Sequence, residues 1–424
     1  MSNFYLVLYI IAWAICLKRH YKQTGKFGVG CLILTSYLIY AILSLFLFNN
    51  EYYGIDYKPL NLLPFVYLFI MLLIATIPAL SYDKHQFVSI QRPNIKIIYA
   101  ISVVYILATI SQLNYVATNM IDGITKILIS SSAARDLYAD YHNTAATSGS
   151  VSSSGFSLLV LYYNFFRDIC ILMTFYILTL KKYNKYILYG LVGCLIVNIL
   201  IPLSQGLRTE ATFTILTMVL AYILFLDFYP QNRKRKLNKF FKIGICVLTL
   251  PILLVTVGRN LRNPQGAIGG IADYLGQCNL KFNNYCFDMD GIRYGDRTMN
   301  QFKQFLGFPN MPKSVMEVRD LYKLRLDDGY FSTFIGDFVI DFGLFWTAII
   351  IIVFNFLVLK IVSTKSRKVL FHNLLLYYFT MCVCFQGGFY LFSYAFKANM
   401  RIVAVFLLYF IFKYDYKLTP SCNE

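Results

Sequence analysis

The sequence predicts an all-α polytopic membrane protein with about eleven transmembrane helices, in a range of roughly ten to twelve. Three observations predict this fold class: the composition, the long uncharged apolar runs, and the alternation of basic and non-basic loops. Hydrophobic residues make up 58% of the chain and charged residues only 14%. A soluble domain is nearer half apolar and a quarter charged, so the composition indicates lipid rather than water as the main solvent.

The apolar runs are long enough to cross a bilayer as helices. Residues 28–48 and 243–257 contain no charged residue. A helix needs about 20 apolar residues to cross the hydrocarbon core, where every backbone polar group must be bonded internally. A membrane β-barrel would show alternating segments of about ten residues, and this sequence does not. The predicted spans are residues 4–17, 28–48, 62–80, 97–113, 156–180, 186–203, 211–228, 243–257, 334–362, 369–390 and 396–412.

The basic residues predict the orientation of these spans. Lys and Arg concentrate in alternate short segments, namely residues 18–26, 84–96, 181–185, 233–242, 365–368 and 413–417. Short loops rich in Lys and Arg are cytoplasmic. The N-terminus is then outside and the C-terminus inside. If the first run does not span, the N-terminus moves inside and the other loops keep their sides.

We expect one integral membrane domain over residues 1–424, with two long loops on the outer side. The first covers residues 114–155 and ends in a flexible stretch of small residues at 145–155. The second covers residues 258–333 and is too long to be a simple connector. It is rich in Tyr, Asn, Gly and Arg.

The net charge of +18 does not indicate a nucleic-acid partner, because the basic residues lie in short clusters between apolar runs. We therefore exclude nucleic acid and expect membrane lipids as neighbours. Most of the ten cysteines lie in apolar runs, where Cys acts as a small hydrophobic residue. Cys278 and Cys286 share the second outer loop, where a disulfide and two free thiols are both open.

Arg208 is the first candidate site residue. It lies in a short outer turn with Gly206, directly before the next apolar helix. A helix N-terminus with spare N–H groups, a close-approach glycine and an arginine fork together favour an anion. Glu210 follows in the first helical turn, where it is a candidate catalytic acid or base or simply complements the helix dipole.

Further arginines are predicted near the outer face. Arg259 and Arg262 share a helical face beyond the eighth span, and several convergent arginines can hold a pyrophosphate. The alternative is an anchor pair on lipid headgroups. Arg401 lies near the outer end of the last helix and shares a face with Lys397; snorkelling to the interface is its alternative.

Two pairs of ionisable residues lie within or beside apolar runs. Arg167 and Asp168 are inside the fifth run, where charged residues are expensive and usually face a cavity or a partner. Arg167 is therefore a candidate phosphate ligand, with a structural ion pair as the alternative. Asp337 and Asp341 share one helical face and are candidate partners for the outer-side arginines.

His142 is the only histidine predicted on the outer side and is a candidate general base. A loop histidine is more often simply solvated. The chain contains no HExxH, GxSxG, P-loop or dinucleotide motif. Its 35 Tyr and 37 Phe fit interfacial belts, and the tyrosines of the outer loops also suit stacking on sugar rings.

The layout resembles the Wzy-type O-antigen polymerases, the oligosaccharide repeat-unit polymerases of bacterial inner membranes. The resemblance covers most of the chain as hydropathy and loop layout. Its local motifs are Gly-Leu-Arg at 206–208, the stretch 328–338 continuing to Asp-Phe-Gly at 341–343, the basic pair Arg259 and Arg262, and Arg401. It implies a GT-C-like fold.

The resemblance implies a glycosyltransferase that polymerises O-antigen for lipopolysaccharide at the periplasmic face. Its donor and acceptor would be undecaprenyl-pyrophosphate-linked oligosaccharides. The growing chain moves from its lipid pyrophosphate to a sugar hydroxyl, with inversion, and a separate chain-length regulator is an implied partner. Pyrophosphate as leaving group needs cations and a general base for the hydroxyl. Arg208, Arg259, Arg262, Arg401 and Arg167 are the implied cations.

This mechanism needs no cofactor and no metal. Asp288 and Asp290 have the DxD spacing of a metal site, however, so the sequence does not exclude a metal. Two other functions stay open. An O-antigen ligase would move the finished glycan onto lipid A-core and would share the arginine requirement. A lipid-linked oligosaccharide flippase or transporter would more often show internal repeats and midplane sites, which this sequence does not show.

Overall fold

The computed structural model describes residues 1–113, 156–204, 208–260, 266–326, 331–363, 366–389 and 394–418. At residues 156–157, 204, 208, 251–260, 266–268, 397 and 417–418 only the backbone is described.

The described residues form fourteen α-helices and two three-residue strands. The helices are α1 (Ser2–Thr24), α2 (Val29–Phe48), α3 (Leu62–His85), α4 (Ile95–Ile110), α5 (Phe156–Thr179), α6 (Lys185–Ser204), α7 (Arg208–Phe225), α8 (Gln231–Asn260), α9 (Gly266–Lys281), α10 (Asn300–Phe305), α11 (Val315–Tyr322), α12 (Phe334–Val362), α13 (Phe371–Gly387) and α14 (Asn399–Leu418). The strands are β1 (Ser89–Gln91) and β2 (Lys368–Leu370).

Within the described part, six helices are long and apolar enough to cross a membrane: α1, α2, α3, α5, α6 and α12. Two shorter apolar helices, α4 and α7, accompany them. Many large apolar side chains on these helices point outward; Ile15 of α1 and Phe345 of α12 are 60% and 70% exposed. Outward apolar surface of this kind suits lipid. The all-α membrane class is thus supported, while the count of eleven spans stays a prediction.

The chain divides into two compact units. The first contains Met1–Phe87 and Ile268–Val403, and the second contains Val88–Ala267 and Ala404–Glu424. The core of the first unit includes Trp13, whose ring centroid lies 5.0 Å from that of Tyr37 and 4.6 Å from that of Phe69. In the second unit, Tyr105 stacks on Tyr163 at 5.8 Å between centroids.

Helix α12 is interrupted near its N-terminal end. Its backbone leaves the helical region at Gly343, with φ 77° and ψ 169°. A positive φ of this size suits glycine, which has no Cβ to clash. The helix begins after Thr333, whose side chain accepts a 3.3 Å hydrogen bond from the amide of Gly336. The short segment before Gly343 therefore carries the polar residues Asp337 and Asp341, and the long apolar segment follows it.

The predicted second outer loop contains regular structure in its described part. Helices α9, α10 and α11 lie within it, and a π-helix at Phe282–Cys286 continues α9. Helix α8 begins at Gln231, so the basic segment 233–242 is the first part of a 30-residue helix. The predicted span 243–257 is the second part of the same helix.

Candidate functional site

An ion pair between helices α5 and α7 is the centre of the candidate site in the second unit. Nη1 of Arg167 lies 2.9 Å from Oε2 of Glu210 and donates a hydrogen bond to it. The Arg167 side chain is 9% exposed, whereas that of Glu210 is 44% exposed. The pair therefore joins a buried cation to a carboxylate that reaches solvent.

The local sequence explains this arrangement. Arg167 follows Tyr163 by one helical turn on α5, so both side chains share a face. Tyr163 is buried in the core. Glu210 lies in the first turn of α7, where the positive end of the helix dipole favours a negative charge. Its carbonyl oxygen accepts a 2.9 Å hydrogen bond from the hydroxyl of Thr214.

The buried guanidinium of Arg167 has spare donor capacity. Among the described residues, its Nε makes no hydrogen bond. Arginine has five N–H donors in a fixed fork, and an unsatisfied buried donor is costly. The arrangement leaves one buried N–H of Arg167 without an acceptor among the described residues, on the same side chain that pairs with a half-exposed carboxylate.

Arg208 is the first residue of α7, two positions before Glu210. Its backbone confirms that a helix starts where the sequence predicts the turn to end. Its side chain and the turn at 205–207 lie outside the described part. Two of the predicted site residues, Arg167 and Glu210, thus meet at the beginning of α7, and the backbone of a third, Arg208, begins the same helix.

The other predicted arginines are less fully described. Arg259 lies in the last turn of α8, where only the backbone is described, and Arg262 lies outside the described residues. Arg401 is half-buried in the first turn of α14. His142 falls within 114–155 and is also outside the described residues. Their assignment to a site stays a prediction.

Asp337 and Asp341 have partners that sequence reasoning missed. Asp337 pairs with Arg297, with Oδ1 and Nη1 3.2 Å apart. Oδ2 of Asp341 accepts hydrogen bonds from the amide and the hydroxyl of Thr298, at 2.7 and 2.6 Å. A buried turn from the second outer loop thus holds both aspartates, and no periodic signal in the sequence marks that turn. The expectation that these aspartates also pair with the predicted arginines stays a prediction.

A second carboxylate fixes the same loop. Asp296 is buried and accepts a 2.6 Å hydrogen bond from the hydroxyl of Tyr322 on α11. Lys303 of α10 pairs with the other oxygen of Asp296. Burial, reinforced by the hydrogen bond to Asp296, raises the pKa of Tyr322 above its usual value. The three residues join α10 and α11 into one folded segment of the first unit.

The DxD spacing of Asp288 and Asp290 has a structural use. Oδ1 of Asp290 accepts a 3.1 Å hydrogen bond from the amide of Arg325, and both aspartates are exposed.

Cys278 is a buried free thiol, so it is not bonded to Cys286. Burial raises the pKa of Cys278 to about 12.

A His–Asp–Cys group on the predicted cytoplasmic side has metal-ligand chemistry. His20, Cys31 and Asp83 offer ligand atoms within 4.8 Å of one another. Both oxygens of Asp83 already accept backbone amides, from Val29 at 3.0 Å and Gly30 at 2.8 Å, and Oδ2 lies 3.0 Å from Nε2 of His20. A helix N-terminus repels a cation. The group is better explained as a tie between α1, α2 and α3.

In comparisons with family models, with curated proteins and with solved structures, none matches this chain.

Proposed function

We propose that this protein is a glycosyltransferase that polymerises undecaprenyl-pyrophosphate-linked O-antigen repeat units. In this proposal the protein has about eleven spans in a GT-C-like fold, lies in the bacterial inner membrane, and acts at the periplasmic face. The observation that supports it best is the Arg167–Glu210 pair at the start of α7, directly beside Arg208. A positive helix end, two arginines and a carboxylate are the groups that pyrophosphate departure and hydroxyl activation need.

Each residue receives a role from its surroundings. Arg208 begins α7 at the positive end of the helix dipole and would bind the pyrophosphate, since charge-assisted hydrogen bonds contribute about 1.5–3 kcal/mol each. Glu210 reaches solvent and is the candidate base for the acceptor hydroxyl. The charge of Arg167 is largely compensated by Glu210, so Arg167 positions that carboxylate and offers its Nε–H to a substrate oxygen.

Arg259, Arg262 and Arg401 remain proposed further ligands of the two pyrophosphates, and His142 remains the alternative base. A chain-length regulator is the proposed protein partner. Neither a cofactor nor a metal has a step in this mechanism, because arginines can stabilise the departing diphosphate.

The test is a gene deletion complemented with variants, read out on lipopolysaccharide gels. Loss of the polymerase should leave core carrying a single repeat unit. Arg208→Ala should give the same pattern at unchanged protein abundance, and Arg208→Lys separates charge from fork geometry, because lysine keeps only the charge.

Two outcomes would contradict the proposal. If the deletion leaves core with no repeat unit attached, the protein is a ligase or supplies the units as a flippase. If Arg208→Ala supports normal chain lengths, the assignment of Arg208 is wrong. Lys182→Ala, an exposed basic residue on the predicted cytoplasmic side, is the matched control and should support normal chains.

A further inference from the structure

An exposed apolar turn follows α10 in the first unit. Phe305, Leu306 and Phe308 are 65%, 77% and 53% exposed, although they lie in a loop that water would surround. Three large apolar side chains in four residues form a continuous patch, and such patches mark interaction sites. We propose that the turn at residues 305–308 inserts into the membrane interface and anchors the second outer loop to lipid.

The turn holds these side chains in one fixed arrangement. The amide of Phe308 bonds to the carbonyl of Lys303 at 3.1 Å, and that of Gly307 bonds to the carbonyl of Gln304 at 3.0 Å. This is the hydrogen-bond pattern of a Schellman motif, with Gly307 at φ 83° in the left-handed position. The apolar patch is therefore part of a defined helix end.

Hydrogen bonds fix the beginning of α10 to the start of α14. The amide of Gln301 donates to Oδ1 of Asn399 at 3.0 Å, and Nδ2 of Asn399 donates to the carbonyl of Thr298 at 2.7 Å. The turn is thus one short helix away from a rigid attachment point.

The same segment lies beside the part of α12 that comes directly before its apolar part. The amide of Arg293 bonds to the carbonyl of Ile340 at 3.0 Å, and Thr298 bonds to Asp341. Both contacts come directly before the interruption at Gly343. Beyond it, Phe345 and Trp346 are 70% and 58% exposed on a helix long enough to cross the membrane.

The distance of the turn from its attachment point beside α12 favours lipid as the neighbour of its apolar side chains. Helix α10 is six residues long, and each residue adds about 1.5 Å, so the turn stays within roughly 10 Å of the attachment point. Aromatic side chains such as Trp346 concentrate where the bilayer meets water. The apolar turn is therefore close enough to the start of the apolar part of α12 to reach the same interface, as the proposal requires.

The charges around the turn also suit a lipid surface. Nζ of Lys303 lies 5.2 Å from the ring centroid of Phe308, but Asp296 compensates its charge. Lys313, which is exposed after the turn, is the cation that can contact headgroup phosphates, as basic residues of interfacial segments do. This inference does not depend on the proposed enzymatic activity.

The test is fluorescence quenching of the full chain in lipid nanodiscs. Leu306→Trp introduces a reporter into the turn, and wild type supplies the background of Trp13 and Trp346. Lipids brominated near the top of the acyl chain should quench the added emission, which should lie to the blue of emission from water. Asp288→Trp is the matched control, because it is exposed in the same unit beside another carboxylate and should stay unquenched.

Phe305→Trp provides a second reporter if Leu306→Trp does not fold. Added emission that matches the Asp288→Trp control in wavelength and in quenching would overturn the proposal and assign the turn to water or to a protein partner.

Discussion

The ion pair between Arg167 and Glu210 predicts an asymmetric response to mutation. The Arg167 side chain is 9% exposed and the Glu210 side chain 44% exposed. Glu210→Ala therefore removes the carboxylate that is hydrogen-bonded to a buried cation, whereas Arg167→Met leaves a carboxylate that solvent can reach. Methionine also fills much of the space that the arginine stem occupies.

The expected magnitudes follow from these exposures. Removing one member of a buried pair costs about 3–5 kcal/mol, and the lower end, about 3 kcal/mol, applies to Glu210→Ala because the carboxylate is partly solvated. Exposed pairs contribute about 0–1 kcal/mol, so Arg167→Met should cost about 1 kcal/mol or less. The double variant should resemble Arg167→Met, since it contains no buried cation.

The measurement is the free energy of unfolding of the purified full chain, in mixed micelles of one composition, for wild type and the three variants. This double-mutant cycle isolates the interaction between the two residues. If Arg167→Met is as destabilising as Glu210→Ala, and the double variant shows the sum of the two, then the carboxylate is not what stabilises the buried guanidinium.

Two further predictions concern helices of the first unit. Gly28→Ala should lower the free energy of unfolding by about 1–3 kcal/mol, because a Cβ would lie 2.3 Å from Oδ1 of Asp83 and displace the carboxylate that accepts the α2 amides. Gly193→Ala is the control: a Cβ there meets nothing within 4 Å, so this variant should be neutral or stabilising, and equal melting temperatures for the two variants would refute the prediction. Burial raises the pKa of Asp273 on α9, and the attraction of Lys281 opposes this shift only in part. The contribution of Asp273 to stability is therefore present at acidic pH and is lost as pH rises through the raised pKa. Asp273→Asn should therefore be more stable than wild type at neutral pH and less pH-dependent in the acidic range, and identical pH profiles of unfolding would contradict it.

The membrane class and the start of α7 could be predicted from sequence because both depend on local signals. Uncharged runs indicate helices in lipid, and the apolar residues after Glu210 indicate a helix that begins near Arg208. The structure has α7 beginning at Arg208. Local hydrophobicity does not indicate which helix supplies the partner of a buried charge, so the pairing of Arg167 with Glu210 was not predicted.

The arrangement of the second outer loop could not be predicted for the same reason. Arg297 and Asp337 are forty positions apart, and they meet because a buried turn bonds to the first part of α12. The interruption at Gly343 was also missed, since a single glycine inside an apolar run does not by itself end a membrane helix. Non-local hydrogen bonds, rather than the periodicity of the chain, determine both features.

The energetic cost of Arg167 bears on its role. A charged residue in an apolar helix is expensive and is usually retained for function. Replacing a buried ion pair by well-packed apolar residues is often neutral or stabilising, so fold stability alone does not explain the pair. The Nε of Arg167 makes no hydrogen bond among the described residues, which adds to the cost of burying the guanidinium. Under the proposed function, a substrate oxygen that displaces the groups covering Nε would accept that hydrogen bond. Substrate binding would then offset the free-energy cost of burying Nε without an acceptor. Arg167→Met should therefore reduce the use of substrate more than it reduces the free energy of unfolding.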